Sequence, residues 1–369
     1  MNVATERWSG SRHRRGPLRL AADGARAVLA RATTVRDRGS GPTGTRRGLV
    51  PRVRDGAVGR LVRPAERKLR RALDDLVYGA SYFGEGRDPS DRAYLSGYER
   101  YDRQTSNANA AAYMVWRAFP AATALDVGCA TGFVVEALRE LGVAAEGVDI
   151  SRYAITHAAA GARGHIRQGD LRSGLPFEDA TFDVVTALET LEHLSPPDVP
   201  AAIAEIARVT NRWVLCTIPS FGPNRNGPGG WYQVKVRDER VEHYEALGPD
   251  YEGPIPYVDL YRDAMGHPIE GHLTVASFGW WTARFAEAGL QRCDRAERAL
   301  HPELARMGLT KYWNLYVFRR GDAPEPEAEI RTPAAVAGVL RRFGLADLVA
   351  SAEDTEALTR AMAASPPLL

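Results

Sequence analysis

An apolar run that meets an acidic residue and a glycine-rich turn constrains this chain more than any other feature. It spans Leu125–Gly132 and reads Leu-Asp-Val-Gly-Cys-Ala-Thr-Gly. Two further segments, at residues 147–150 and 169–170, again place an acid near the end of a predicted strand. This order is typical of α/β proteins with a doubly wound sheet, whose ligands bind beyond the carboxyl ends of the strands. We therefore predict such a sheet, with a ligand crevice at the ends of its first strands.

The spacing of the glycines indicates the kind of ligand. Gly128 and Gly132 bracket the turn, where a side chain would keep a ligand away from the backbone. The helix that begins near Thr131 would direct free N–H groups at a carboxylate. The turn lacks the Gly-x-Gly-x-x-Gly pattern through which a pyrophosphate approaches. Asp149, at the end of the second strand, is suited to accept hydrogen bonds from both hydroxyls of a ribose. We expect an adenosine-bearing ligand without a phosphate.

These motifs, in this order, resemble those of the class I S-adenosylmethionine-dependent methyltransferases, including the ubiquinone-pathway O-methyltransferases. The resemblance covers roughly residues 123–319, and residues 175–185 resemble the segment that leads into the fourth strand of that family. It implies a Rossmann-like, doubly wound, seven-stranded sheet and S-adenosyl-L-methionine as the cofactor. It also implies a set of cofactor-binding residues, which are Asp126, Gly128, Cys129, Ala130, Gly132, Asp149, Ile150, Asp170, Leu171 and Leu188.

The acceptor side of such a site needs a group that removes a proton from a hydroxyl, either a base or a metal ion. Glu189, Glu192 and His193 follow the predicted fourth strand at i, i+3 and i+4, so a helical turn would bring them to one face. The pattern resembles the Mg²⁺-binding motif of ubiquinone-pathway and RNA 3′-end 2′-O-methyltransferases. Similar runs occur in methyltransferases with no known metal, where they shape the pocket. A metal held by these three residues, a direct base and a structural role all stay open.

His272 is a second candidate base, because histidine is the side chain best suited to proton transfer near neutral pH. It lies in the segment Gly271–Phe278, which resembles a stretch that faces the acceptor in these families. A lone histidine is also common as a structural residue. The predicted catalytic residues are thus His193, His272 and Glu189.

Charge separates the first 71 residues from the rest of the chain. Residues 1–71 hold 19 Lys and Arg against 5 Asp and Glu, whereas the remainder holds 29 basic and 41 acidic residues. Such a segment buries little apolar surface, so we expect a disordered arm. It would either attract an anionic partner, such as nucleic acid, or be a solvated tail without a function.

Apolar periodicity predicts helices at 64–77, 107–119, 131–142, 151–161, 197–210, 277–289 and 333–349, and strands at 123–128, 145–150, 165–169, 182–188, 212–218, 291–298 and 312–319. We predict an Arg-rich arm (1–71), a helical lid (72–120), a methyltransferase domain (121–320) with a substrate-cap insertion (220–276) and a helical extension (321–369). Aromatic residues in the lid segment would either cover the cofactor or pack as ordinary core.

Composition indicates a cytoplasmic protein. No run approaches the roughly 18 apolar residues of a membrane span, and three widely spaced cysteines favour reduced thiols. The predicted function is methyl transfer to a hydroxyl of a sugar or small secondary metabolite. One alternative is an RNA methyltransferase that uses the basic arm, although that arm lacks the interleaved aromatic residues that stack on bases. The other is a non-catalytic partner subunit, which the intact glycine turn and Asp149 argue against. The oligomeric state stays open.

Overall fold

The computed structural model describes residues 77–85, 98, 100–226, 244, 251–260, 271–306, 314–321, 323–326 and 331–345. The chain divides into two compact units, Met1–Val77 and Tyr78–Leu369. The structural findings below concern the second unit. The predicted Arg-rich arm lies outside the described residues, as does the predicted helix over 64–77 except for its last residue.

Secondary structure alternates between strands and helices along the second unit. The helices are α1 (Ala108–Ala118), α2 (Phe133–Glu140), α3 (Arg152–Thr156), α4 (Val199–Val209), α5 (Phe278–Glu287), α6 (Asp294–Arg306) and α7 (Pro333–Arg342). The strands are β1 (Thr123–Val127), β2 (Ala144–Asp149), β3 (Ile166–Gln168), β4 (Phe182–Leu188), β5 (Thr210–Thr217), β6 (Ser220–Phe221), β7 (Ala276–Ser277), β8 (Leu290–Arg292) and β9 (Leu315–Arg320). None of these helices has the length and apolar content that a membrane span requires.

Seven strands form one sheet in the order β3-β2-β1-β4-β5-β9-β8. Strands β1 to β5 pair in parallel, and β9 runs antiparallel to both β5 and β8. The chain leaves β1 toward β2 on one side, and β4 returns to pair with the other side of β1. This reversal of strand order creates a crevice at the carboxyl ends of β1 and β4. The predicted doubly wound, seven-stranded sheet is therefore confirmed.

Both faces of the sheet are buried under helices, which explains the nearly continuous apolar sequence of β5. Trp213 and Leu215 of β5 belong to a cluster with α1 and α2, whereas Val214 and Cys216 belong to a second cluster with α4 and α5. Burial of each large apolar side chain stabilises the fold by about 2 kcal/mol. The helical layers hold the sheet rigid and leave its carboxyl edge free to carry a site.

Two sequence predictions differ from the structure in this part of the chain. The strand expected over 291–298 ends at Arg292, and α6 begins at Asp294. Glu297, inside α6, accepts hydrogen bonds from the Arg292 guanidinium and from the Val317 backbone N–H. Because Glu297 is anchored in this way and the segment is rich in Ala, Glu and Arg, which favour helices, the residues from Asp294 onward form a helix rather than a strand. The helix expected over 151–161 ends at Thr156 and is followed by a separate 3₁₀ turn, Ala160–Ala162.

The predicted cap insertion, 220–276, is described only in part. Its two ends meet where β6 pairs in parallel with β7. Described aromatic residues of the insertion pack together with aliphatic ones in a small apolar cluster, which comprises Phe221, Ile255, Leu260, Val275, Tyr244, Tyr251 and Tyr257. Packing within the insertion itself thus accounts for these aromatic residues.

Candidate functional site

The glycine turn closes over the end of β2 through its own backbone. The N–H groups of Gly128 and Cys129 both donate to the carbonyl of Val148, at 2.8 and 3.2 Å. Gly128 and Gly132 adopt left-handed backbone angles, with φ of 75° and 84°. Gly132 is also the residue that precedes α2, so the turn places the free N–H groups of that helix at the crevice.

Gly128 is required for a close approach as well as for its backbone angle. A Cβ atom there would lie 2.4 Å from Oγ1 of Thr190, which itself donates to the carbonyls of Val127 and Leu188. Thr190 therefore joins the ends of β1 and β4 through the space that Gly128 leaves. The sequence analysis did not identify Thr190, because no local pattern marks a contact between residues so far apart.

We expect Gly128→Ala to destabilise the protein by about 3 kcal/mol, from backbone strain and steric overlap with Thr190 combined. Gly142→Ala is the matched control, since Gly142 has φ of 84° but no atom within 4 Å of a Cβ. It should lose only about 1 kcal/mol, the cost of the left-handed backbone alone. Denaturant unfolding of both variants measures the difference, and equal losses would show that contact with Thr190 is unimportant.

Asp149 ends β2 with both carboxylate oxygens on backbone N–H groups. Oδ2 accepts from Ala130 in the glycine turn at 2.8 Å, and Oδ1 accepts from Ser151 at 2.7 Å. Ser151 also caps α3, because its Oγ accepts from the N–H of Ala154. A carboxylate has about four acceptor positions, so acceptor capacity is left for the hydroxyls of a ligand. Burial raises the pKa of Asp149 above its usual value, although these hydrogen bonds oppose the shift.

Asp126 lies between strands β1 and β4. Its side chain is only 3% exposed, and Oδ1 accepts a hydrogen bond from Thr186 Oγ1 at 2.7 Å. Burial raises the pKa of Asp126 to about 7, with a further contribution from the charge of Asp149. Asp126 thus joins the two strands that border the crevice, and its predicted contact with a cofactor stays a prediction.

The remaining predicted cofactor residues lie around the same edge. Ile150 and Leu188 are half-buried at the ends of β2 and β4, and Cys129 is buried beneath the turn. Asp170 accepts from the backbone and guanidinium N–H groups of Arg172. Leu171 is buried beside it in the apolar core. Proximity to the crevice agrees with the predicted set, whereas contact with a cofactor stays a prediction.

One polar atom of the turn is suited to a ligand and was missed by the sequence analysis. Thr131 is 7% exposed, and its buried Oγ1 has no hydrogen-bond partner within the described chain. A buried hydroxyl without a partner costs about 1 to 3 kcal/mol. A polar ligand at the turn would satisfy it, as the amino-acid end of S-adenosylmethionine can. The turn, Thr131 and Asp149 therefore fit that cofactor.

A second cluster, formed by Glu192, His193 and His272, follows β4. One ligand-type atom of each residue lies within 4.8 Å of those of the other two. Nε2 of His272 is 3.9 Å from Oε1 of Glu192, whose side chain is fully buried. Two backbone hydrogen bonds hold the segment after His272 against Glu192. The N–H groups of Leu273 and Thr274 donate to the carbonyl of Glu192 at 2.8 and 3.0 Å. The two candidate histidines, distant in sequence, thus lie side by side.

The arrangement assigns a tautomer to His193. Its Nδ1 lies 3.3 Å from the carbonyl oxygen of Gly271, which can only accept a hydrogen bond. Nδ1 therefore carries the proton in the neutral ring, and the lone pair of the imidazole is on Nε2. The buried carboxylate of Glu192 favours the positive charge that either imidazole acquires on taking a proton.

The predicted single face of Glu189, Glu192 and His193 is wrong. Residues Leu191–His193 form one 3₁₀ turn rather than an α-helix, and Glu189 has a left-handed backbone with φ of 51°. Its N–H donates to the carbonyl of Thr217 on β5. Because the chain changes direction at Glu189, this residue does not belong to the cluster. His272 joins Glu192 and His193 instead.

Tyrosines from the predicted lid lie against both parts of this edge. Burial raises the pKa of Tyr82, and the charges of Asp149 and Glu192 add to the shift. Burial likewise raises the pKa of Tyr101, with smaller contributions from Asp126 and Asp149. Tyr82 packs against Tyr78, whose ring centroid is 6.3 Å from that of His193.

Comparison with known proteins relates part of this chain to methyltransferases. Residues 125–214 match the family described as a methyltransferase domain. The ubiquinone biosynthesis O-methyltransferase of Burkholderia multivorans is 30% identical over 144 residues, which cover 35% of this chain and 50% of that protein. The protein of the same name from Thiobacillus denitrificans is 29% identical over 138 residues, with 34% and 50% covered. The chain spans about half the length of these curated relatives.

Two solved structures with some likeness are named methyltransferases. The amino pentose methyltransferase CalS10 from Micromonospora echinaspora is 22% identical and covers 66% of this chain and 97% of its own, with a TM-score of 0.36. Magnesium protoporphyrin IX methyltransferase from Synechocystis is 12% identical and covers 69% and 100%, with a TM-score of 0.39. Because these TM-scores are low, we relate the chain to known proteins by the sequence match over residues 125–214.

Proposed function

Because the chain belongs to the class I S-adenosylmethionine-dependent methyltransferase superfamily, we propose that it transfers a methyl group to a hydroxyl of a sugar or small secondary metabolite. The main support for the proposal is the position of two groups of residues. The turn and carboxylate suited to the methyl donor lie at the same sheet edge as a histidine cluster suited to deprotonate an acceptor. The names of the matching relatives, which are O-methyltransferases, support oxygen as the acceptor atom.

On the donor side, the residues of the crevice would bind and orient the methyl donor. S-adenosylmethionine supplies an electrophilic methyl group on its sulfonium. Asp149 would accept hydrogen bonds from the two ribose hydroxyls through its remaining acceptor positions. The turn Gly128–Gly132 and the first N–H groups of α2 would hold the carboxylate of the donor. Holding both reactants in line supplies a large part of the rate of such a displacement.

On the acceptor side, the histidines would remove the proton from the hydroxyl. Nε2 of His193 would be the accepting atom, because Nδ1 donates to Gly271. Glu192 would stabilise the imidazolium that forms, and the ring of His272 lies beside that of His193, with centroids 5.3 Å apart. General base catalysis of this kind contributes about 10²- to 10⁴-fold. The oxygen becomes a competent nucleophile only as it loses the proton.

The direct test is transfer of a labelled methyl group. Purified full-length protein with radiolabelled S-adenosylmethionine should label sugars or phenol-type metabolites that have free hydroxyls, and the label should be lost when the target hydroxyl is blocked. Labelling of RNA by the full chain, lost on removal of residues 1–71, would instead favour a nucleic-acid methyltransferase. Donor binding without transfer to any acceptor class would favour a partner subunit.

A bound divalent ion is a second candidate for the deprotonation step, and the grouping of Glu192, His193 and His272 favours it. One carboxylate with two imidazoles suits Zn²⁺, Mn²⁺ or Fe²⁺ better than Mg²⁺, which prefers oxygen ligands. If a histidine is the base, EDTA should leave the transfer rate within about twofold, since proton transfer by imidazole needs no ion. Loss of transfer in EDTA, restored by Mn²⁺ or Zn²⁺ and without change in donor affinity, would assign the step to the ion.

A further inference from the structure

The segment Tyr78–Phe83, which we call the aromatic strap, crosses the sheet edge between the two halves of the site. It is compact, because Tyr82 N–H donates to the carbonyl of Gly79 at 2.9 Å and Phe83 N–H to that of Ala80 at 3.1 Å. Ser151 Oγ donates to the carbonyl of Tyr78 at 2.6 Å. Since the N–H of Ser151 holds Asp149, one end of the strap is fixed beside the donor carboxylate.

The same end of the strap reaches the histidine cluster through its ring. The ring centroids of Tyr78 and His193 are 6.3 Å apart with planes at 85°, and those of His193 and His272 are 5.3 Å apart at 73°. Tyr82 packs edge-on against Tyr78 at 5.0 Å. His193 thus packs against both a tyrosine from the start of the second unit and a histidine from the segment before β7. Edge-to-face packing of this kind restrains ring orientation.

The hydrogen bond from His193 to Gly271 is long, so ring contacts can also help to orient the imidazole. The distance of 3.3 Å between Nδ1 and Gly271 O exceeds the usual value of about 2.9 to 3.0 Å for an N–H···O bond. A bond of this length by itself defines the direction of the imidazole plane weakly. Ring contacts with Tyr78 and His272 add to it in orienting the imidazole.

We propose that Tyr78 is a positioning residue for the reaction, whose ring holds the His193 imidazole in its productive orientation while its carbonyl ties the strap to Ser151 beside Asp149. This rests on the proposed function, since it gives His193 the role argued above. It extends that proposal by making an aromatic residue outside the sheet a part of the acceptor side. We assign the positioning to the ring, so Tyr78→Phe should preserve the function.

The test is a double-mutant cycle on the full-length protein. Tyr78→Leu should lower kcat about tenfold, the effect of an aromatic pair worth roughly 1.4 kcal/mol, and should leave donor affinity within about threefold. Tyr78→Phe should retain kcat within about twofold. In the His193→Ala background, Tyr78→Leu should have almost no further effect, because residues that act through one another are not additive. Phe83→Leu is the control, since Phe83 stacks on Tyr153 rather than on His193, and its effect should be additive with His193→Ala.

The outcomes separate this inference from the function on which it rests. Near-wild-type kcat of Tyr78→Leu with an inactive His193→Ala overturns the inference alone. A full tenfold loss that persists in the His193→Ala background, or an equal loss in Tyr78→Phe, overturns it as well. A fully active His193→Ala removes His193 from the proposed chemistry and the role of Tyr78 with it. Circular dichroism checks folding, and Tyr78→Met, with a similar flexible apolar side chain, replaces the Leu variant if that variant does not fold.

Discussion

Replacing Asp149 with alanine should weaken binding of S-adenosylmethionine at least about 100-fold. Two hydrogen bonds from ribose hydroxyls to an ionised acceptor are each worth about 1.5 to 3 kcal/mol, and each 1.4 kcal/mol is a factor of about ten in affinity. The substitution also frees the N–H groups of Ala130 and Ser151, which both donate to this carboxylate. Isothermal titration calorimetry with the wild-type protein and the variant measures the loss directly.

Glu146→Ala is the matched control for that experiment. Glu146 is a carboxylate on the same strand, but it pairs with Arg167 at the surface of the sheet edge. A surface ion pair contributes about 0 to 1 kcal/mol, so donor affinity should stay within about twofold. Equal affinities of wild type and Asp149→Ala would remove Asp149 from the donor site and with it the orientation assigned to the ribose.

Replacing the clustered histidines should affect turnover and leave donor binding intact. We expect His193→Ala to lower kcat about 100-fold or more, since a positioned base contributes about 10²- to 10⁴-fold. His272→Ala should lower kcat by a smaller factor, because His272 packs beside His193 and its Nε2 is 3.9 Å from the buried carboxylate of Glu192. Steady-state kinetics for kcat, combined with calorimetry for the donor, distinguish loss of chemistry from loss of binding.

His157→Ala supplies the reference for the histidine variants. His157 is exposed on the surface after α3 and stacks on Tyr153, away from the cluster. Its replacement should leave kcat within about twofold. If His193→Ala and His272→Ala are as active as His157→Ala, the acceptor loses its proton by another route or needs no base.

The sequence was sufficient for the parallel part of the sheet because its signals are local. Strand β4 has the predicted bounds, and the turn Gly128–Gly132 with Asp149 lies where the sequence placed it. An apolar run, a glycine with a left-handed backbone and an acid at a strand end are each encoded within a few residues. Doubly wound topology then brings the ends of β1, β2 and β4 together without further information.

The acceptor side was less predictable because its contacts are long-range. The helical spacing of Glu189, Glu192 and His193 predicted a shared face, but the left-handed backbone at Glu189 depends on its hydrogen bond to Thr217 of a neighbouring strand. His272 was recognised as a candidate, whereas its docking onto Glu192 depends on backbone hydrogen bonds from the two residues that follow it. Periodicity carries no information about such pairings.

Residues that support the site by holding its other residues in place could not be identified from the sequence for the same reason. Ser151 is an ordinary helix cap by sequence, yet its backbone holds Asp149 and its hydroxyl holds the carbonyl of Tyr78. The sequence left open whether the tyrosines before β1 are a lid or core. The described contacts place the ring of Tyr78 against His193 and its carbonyl on the hydroxyl of Ser151.

A crystal structure with S-adenosylhomocysteine, the product of the donor, tests the central claim most directly. We expect the ribose hydroxyls within about 3 Å of the Asp149 carboxylate oxygens and the amino-acid end against the turn Gly128–Gly132. We also expect the sulfur to face the cluster of Glu192, His193 and His272. A ligand bound elsewhere, or a crevice filled by the protein's own tyrosine rings at saturating ligand, would contradict it.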